Sequence, residues 1–120
     1  LSICYDVRFA DLYRKLAQNG AEILTIPAAF TRPSGAAHWH VLQRARAIET
    51  GCFVLASAQI GTHDDGRQTY GHSLIINPWG EVLADAGTME ESFMIAEIDL
   101  SQVASARRKI RNLQHEPDYR

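Results

Sequence analysis

At 120 residues, with 46% hydrophobic and 22% charged side chains, the sequence is sized for one folding unit with a buried core. A formal net charge of -2 with scattered basic residues excludes a nucleic-acid binder that relies on counterion release. No apolar run approaches the ~20 residues of a membrane-spanning helix.

The chain opens on Leu1-Ser2-Ile3-Cys4, an apolar run read as a short strand. Asp11–Asn19 follows as a helix, with Leu12 and Leu16 one turn apart and Gly20 just past its end. Ile23–Ile26 reads as a buried strand ended by Pro27. Thr31, Pro33, Ser34 and Gly35 suggest a loop, and Ala37–Thr50 a longer helix closed by Gly51. Cys52–Ala58 is a third apolar strand. Apolar strands separated by helices are the pattern of a helix-covered sheet, so the fold class is α/β.

Beyond Ala58 the pattern changes. Thr62–Arg67 is polar, with Asp64-Asp65-Gly66 as its turn. His72–Asn77 and Glu81–Asp85 flank Asn77-Pro78-Trp79-Gly80, which has Pro second and Gly fourth, so the pair reads as an antiparallel hairpin. Phe93–Ile98 is expected to form another strand. Ser101 is the expected N-cap of a last helix carrying Val103 and Ala106, with Arg107, Arg108, Lys109 and Arg111 at its solvated end. Asn112–Arg120 has no periodicity. No internal repeat or linker interrupts residues 1–120.

Two cysteines do not make a disulfide framework, and a reducing, cytoplasmic setting is the expectation. Cys52 reads as a small buried hydrophobe. Cys4 stands at a strand end shortly before a helix, where a thiol is exposed at the sheet edge and helix-start N–H groups favour thiolate. By position alone its catalytic and structural readings both stay open. The histidines offer no metal-ligand spacing, since His38 and His40 point different ways on a helix, and neither a metal nor a cofactor is expected. A histidine-assisted cysteine hydrolase, with His72 approaching Cys4, is a rival reading.

The wording around these residues decides between them. Leu1-Ser2-Ile3-Cys4-Tyr5-Asp6-Val7-Arg8-Phe9 resembles the nucleophile segment of the nitrilase, or carbon–nitrogen hydrolase, superfamily. Ile26-Pro27-Ala28-Ala29-Phe30-Thr31 resembles its next strand and pocket loop. His38-Trp39 with Arg44-Ala45-Arg46-Ala47-Ile48-Glu49 resembles its interface helix. Ala56-Ser57-Ala58-Gln59, Tyr70-Gly71-His72-Ser73 and Asn77-Pro78-Trp79-Gly80-Glu81-Val82 match later blocks in the right order. Ala10 stands where a proline commonly follows Arg-Phe, and His40 replaces an acidic residue often found after His-Trp.

This resemblance implies an α-β-β-α sandwich of which the chain is a C-terminal portion. It implies Cys4 as nucleophile, a thioester intermediate, release of ammonia, and a glutamate and lysine that precede the cysteine and are absent from this sequence. Arg8 is then expected in a salt bridge holding the turn, His72 in a structural role, and Tyr5, Phe30 and Thr31 against the substrate, with Phe30 as plain core the alternative. The expected partner is a small amide, without nucleic acid or membrane, and the full protein is expected to be a homodimer through helices near Asp11–Asn19 and Ala37–Thr50. The Ala-Phe-Thr loop and the His-Trp helix look most like amidases acting on small ω-amides, including the deaminated-glutathione amidase and ω-amidase branch. Nitrile or carbamoyl-amine hydrolysis, and a non-catalytic binding subunit, are the alternatives. Expressed alone, the chain is expected to be inactive and to aggregate or fold poorly, with a sheet face and edge unpaired.

Overall fold

A computed structural model describes residues 1–88 and 92–115. The first helix, α1 (Ala10–Gln18), buries Tyr13 and Ala17, four residues apart on one stripe. The chain then enters β1 (Ile23–Thr25), crosses over through α2 (Arg32–Thr50) and returns as β2 (Phe53–Ala56), parallel to β1. Gly51 makes the exit from α2 possible: its φ of +59° is left-handed, and its N–H donates to the Ala47 carbonyl.

The start of α2 departs from expectation. The segment containing Pro33, Ser34 and Gly35 is helical rather than a loop, since α2 begins at Arg32. Proline and serine are turn formers, but in a first helical turn the missing N–H costs nothing. Gly35 is required for a different reason. It lies directly beneath the Tyr70 ring, and a Cβ there would collide with the Tyr70 side chain.

β3 (Ile60–Thr62) and β4 (Gln68–Tyr70) form an antiparallel pair around the Asp64-Asp65-Gly66 turn. Only that turn was legible beforehand, because strands of three residues carry too little alternation to read. β5 (Leu74–Ile76) and β6 (Val82–Asp85) make the expected hairpin, with a bulge between Ile75 and Ile76. Its turn is held by Asn77, whose side-chain oxygen accepts from the N–H groups of Trp79 (2.9 Å) and Glu81 (3.0 Å). The main sheet runs β1-β2-β5-β6, with all pairs after the first antiparallel.

One sheet face is core. Leu24, Val54 and Ile76 share a register row, Ile26, Ala56 and Leu74 continue that face, and all are buried against α2 and its neighbours. The opposite face is apolar but only half covered: Ile23, Leu55 and Ile75 alternate there, and Ile23 is 39% exposed.

Two expected elements are corrected. Leu1–Ile3 is extended without being a strand; Ser2 and Cys4 donate to Thr25 and Pro27, tying the segment loosely beside β1. The expected strand Phe93–Ile98 is not one either. Phe93 and Ile95 are 87% and 84% exposed, because no ladder partner lies beside them among the described residues.

The last helix, α3 (Ser101–Lys109), buries Val103 and Ala106. Its cap is not Ser101, which is the first helical residue. Asp99 accepts from both the Ser101 N–H (2.9 Å) and hydroxyl (2.7 Å), and these bonds hold its carboxyl below the usual range. Nor is Arg107 simply solvated. Its guanidinium donates to the carbonyls of Thr50 (3.1 Å) and Ala21 (2.6 Å) and to Cys52 Sγ (3.2 Å). Cys52 is fully buried, and that burial pushes its thiol pKa up despite the neighbouring cation.

Gln43, on α2, is fully buried, and neither side-chain amide atom finds a partner among the described residues. An unpaired buried amide is costly, so Gln43→Leu should stabilise the protein by about 1–3 kcal/mol. Thermal and urea denaturation would read this directly; a lower melting temperature in the variant would show that Gln43 has a partner when the protein is whole.

Candidate active site

The setting of Cys4 combines hydrogen bonds within its own turn with bonds to residues 11 to 23 positions away. Ser2 and Cys4 are anchored on the β1 side by their N–H groups, at 3.3 Å to Thr25 O and 2.8 Å to Pro27 O. The Ser2 hydroxyl is 2.7 Å from the buried Tyr13 hydroxyl, which fixes the approach from beneath. Burial is the main reason that the Tyr13 pKa is raised, so it remains a neutral hydrogen-bonding group.

The chain then turns sharply into a short 3-10 helix over Cys4–Arg8. Ile3 N–H donates to Asp6 Oδ2 at 3.0 Å, and Asp6 N–H returns to Ile3 O at 3.0 Å. Cys4 stands at the corner with φ +46°, a left-handed conformation that costs a non-glycine residue about 1–2 kcal/mol. A cysteine held there is half-buried, with its side chain packed at the margin of the core beyond the carboxyl end of β1.

Arg8 is arranged differently from expectation. Its contacts among the described residues include no carboxylate. The guanidinium lies 5.6 Å from the Tyr5 ring centre and 5.3 Å from that of Phe30, and its nitrogens approach His38 Nδ1 at 3.4–3.5 Å. The charge nearer the core is Arg46, 5% exposed, whose Nε donates to Val7 O at 2.8 Å and whose Nη1 pairs with Glu49 at 2.8 Å. Arg46 therefore ties α2 to the turn that carries Cys4.

The three residues expected beside substrate occupy distinct settings. Tyr5 is 64% exposed, on the turn immediately after Cys4. Phe30 is buried, with its ring 4.9 Å from that of Trp39, yet it also faces Arg8. Thr31 is exposed and lines a surface cleft of about 500 Å³ with Arg32, Pro33 and Gln68. The backbone bridges Ala28 to Ala58 and Thr31 to Thr69, which fixes the loop carrying Phe30 and Thr31.

His72 does not join Cys4: no hydrogen bond links the two among the described residues. Its Nδ1 meets Asp85 at 3.0 and 3.1 Å, and its ring stacks on Tyr70 at 4.4 Å. His40 Nε2 meets the same carboxylate at 3.0 Å. Burial alone would raise the Asp85 pKa, but hydrogen bonds from His40, Gly87 and His72 outweigh it and the net shift is downward. This cluster was missed in the sequence because its members are far apart along the chain and carry no recognisable spacing.

With the geometry in place, comparison with known proteins is direct. The family model for carbon-nitrogen hydrolases matches residues 1–108. The chain is 52% identical over 115 residues to the deaminated glutathione amidase of Synechocystis sp., covering 96% of this chain and 42% of that protein. The crystal structure of the Caenorhabditis elegans NitFhit protein superposes with a TM-score of 0.87 at 46% identity, covering 97% of this chain and 28% of that one. A mutant amidase from Nesterenkonia sp., with the acetamide moiety of fluoroacetamide added covalently at its active site cysteine, matches with a TM-score of 0.64. Its identity is 28%, over 72% of this chain and 32% of that one. The chain thus spans less than half the length of these relatives. An α/β chain matched along nearly its whole length, with a strained cysteine where an extended segment turns into a 3-10 helix, belongs to the carbon-nitrogen hydrolase family.

Proposed function

We propose that the whole protein hydrolyses a non-peptide carbon–nitrogen bond, that of a small linear ω-amide, with Cys4 as nucleophile. The observation that carries this reading is the left-handed Cys4 at the head of its 3-10 turn, in a segment that lies within the family match. Strain of this kind persists where the surroundings over-determine it, and here hydrogen bonds from the backbone N–H groups of Ser2, Ile3, Cys4 and Asp6 do so.

In the proposed reaction the Cys4 thiolate attacks the amide carbon, and a tetrahedral intermediate forms. The C–N bond breaks, the nitrogen leaves as ammonia after taking up a proton, and the acyl group remains on Sγ as a thioester. Water then adds to the thioester carbonyl, releasing the carboxylic acid and restoring the thiol. Tyr5, Phe30 and Thr31 would line the acyl pocket, with Arg8 holding the Tyr5 and Phe30 rings in place. The general base and the cation that stabilises the intermediate would come from a part of the protein preceding this chain. The half-covered outer face of the sheet and the exposed Ile3, Tyr5, Phe9, Phe93 and Ile95 are consistent with further protein packing here. The reading includes a cytoplasmic homodimer, with α1 and α2 near the dimer contact.

The test is to catch the intermediate. The full-length protein is mixed with small ω-amides, quenched in acid and examined by intact and peptide mass spectrometry. An acyl adduct on the peptide containing Cys4, removed by hydroxylamine, is the expected result. Turnover of an amide with the adduct on another residue, or with none on rapid quenching, would sink the assignment.

A further inference from the structure

The His40–His72–Asp85 cluster lies outside the proposed acyl pocket, and its arrangement asks for a role of its own. Three different segments converge there. His40 comes from α2, His72 from the bend before β5, and Asp85 from the end of β6. One nitrogen from each imidazole and one carboxylate oxygen lie within 4.8 Å of one another. We propose that these three side chains form a binding site for one divalent ion of the zinc class, bridging α2 to the β5–β6 hairpin.

Donor chemistry points to that class. Two imidazoles and one carboxylate suit Zn²⁺, Ni²⁺, Co²⁺ or Cu²⁺, whereas Ca²⁺ and Mg²⁺ demand oxygen-rich shells. With ligand bonds of about 2.0–2.1 Å, neighbouring corners of a zinc tetrahedron lie ~3.3 Å apart. Measured to the one oxygen Oδ2, the separations of 3.0 Å from His40 Nε2 and 3.1 Å from His72 Nδ1 are close to that edge. The remaining nitrogen–nitrogen edge lies within 4.8 Å and has to close toward the tetrahedral edge, a movement open to side chains that are 32% and 22% exposed. At present a ring proton on each histidine faces the carboxylate. An ion would take that place, and each neutral imidazole would carry its proton on the other ring nitrogen. The fourth corner would face solvent and hold water.

The surroundings orient all three ligands. Gly87 N–H donates to Asp85 Oδ1 at 2.7 Å, leaving Oδ2 nearest His40. His72 is fixed at φ +58° by its own N–H to Gly87 O (2.7 Å) and by Trp39 Nε1, which donates to its carbonyl at 2.7 Å. Tyr70 stacks on the His72 ring and meets His40 edge-on at 5.9 Å. Outer contacts of this kind set ring orientation and tautomer in metal sites.

Metal titration tests this without reference to catalysis. The protein is prepared as Cys4→Ser, so that the thiol does not compete, and titrated with Zn²⁺ against a chromophoric chelator and with Co²⁺ by visible absorption. One equivalent should bind, with the d–d bands of a four-coordinate cobalt ion. His40→Gln retains an N–H donor for Asp85 and so preserves the fold, but it has no imidazole lone pair. It should weaken binding at least about tenfold. His38→Gln, one position before Trp39, should bind as the parent does. Equal affinity in His40→Gln and its parent, or no binding by the parent, would overturn the proposal. If His40→Gln were misfolded by circular dichroism, Asp85→Asn would replace it, with the same tenfold criterion.

Discussion

Ammonia release from ω-amides by the full-length protein should fall by at least about 10⁴-fold when Cys4 is replaced by alanine. The size follows from the proposed chemistry. Without Sγ no thioester forms, and what remains is whatever binding and a preorganised site contribute to direct attack by water. Alanine is the informative choice because it tolerates φ +46° no worse than cysteine does, so the turn over Cys4–Arg8 is retained. Melting temperature should therefore change little while kcat collapses. Comparable ammonia release by wild type and Cys4→Ala, measured on the same amide panel, would remove Cys4 from the mechanism. Cys4→Ser is a weaker test, since a hydroxyl beside a strong base retains some nucleophilicity.

The largest loss of stability should come from Trp39→Ala. Trp39 is the bulkiest fully buried side chain described, its ring 4.9 Å from that of Phe30 in a tilted contact and its Nε1 hydrogen-bonded to His72 O. Removing it empties the space between α2 and the bend before β5, at a cost of about 3–5 kcal/mol. It also strands the His72 carbonyl. Against the ~5–15 kcal/mol total of a typical domain, that is enough to leave the variant partly unfolded at 37 °C. Urea denaturation should show a lower midpoint with an unchanged slope. Trp39→Phe keeps most of the volume but not the hydrogen bond, and should cost about 1–2 kcal/mol. A loss below about 1 kcal/mol in Trp39→Ala would mean that the pocket collapses without penalty.

The legible part of the fold is the part with periodicity. The existence of α1 and α2, the apolar runs of β1 and β2, and the Asn77-Pro78-Trp79-Gly80 turn all announce themselves within a few residues; the stripe that α1 buries, however, is Tyr13 and Ala17 rather than Leu12 and Leu16, and α2 starts at Arg32 rather than Ala37. What was not legible depends on partners distant in sequence. Residues 92–98 alternate like a strand, yet alternation specifies a face and not a neighbour. Ser101 looks like a cap, but Asp99, two residues earlier, has the longer reach and the charge. Arg107 reads as solvated because nothing local says that the carbonyls of Ala21 and Thr50 lie within its reach.

The candidate site divides in the same way. Cys4 was legible through the run of residues around it. The left-handed backbone that presents it was not, because part of what enforces it is hydrogen bonding to Thr25 and Pro27, far along the chain. Arg8 was expected opposite a carboxylate and instead lies over two aromatic rings. The histidine–aspartate cluster was invisible for a plainer reason. Its ligands are brought together by the crossover from α2 to the β5–β6 hairpin, which spacing along the chain does not encode.

Residues 107–115 are fastened by bonds that span most of the chain, which bears on folding kinetics. Arg107 reaches Ala21 across 86 residues, and Arg14 reaches the carbonyls of Asn112 and His115 across 98 and 101. Contacts across such separations close their loops before anything repays the entropy, so these bonds are expected to form after β1, α2 and β2 have assembled. Interactions absent from the folding transition state act on the rate of unfolding rather than of folding. The arginine fastenings are therefore a latch: they set how long the folded chain lasts, and contribute little to how quickly it is reached.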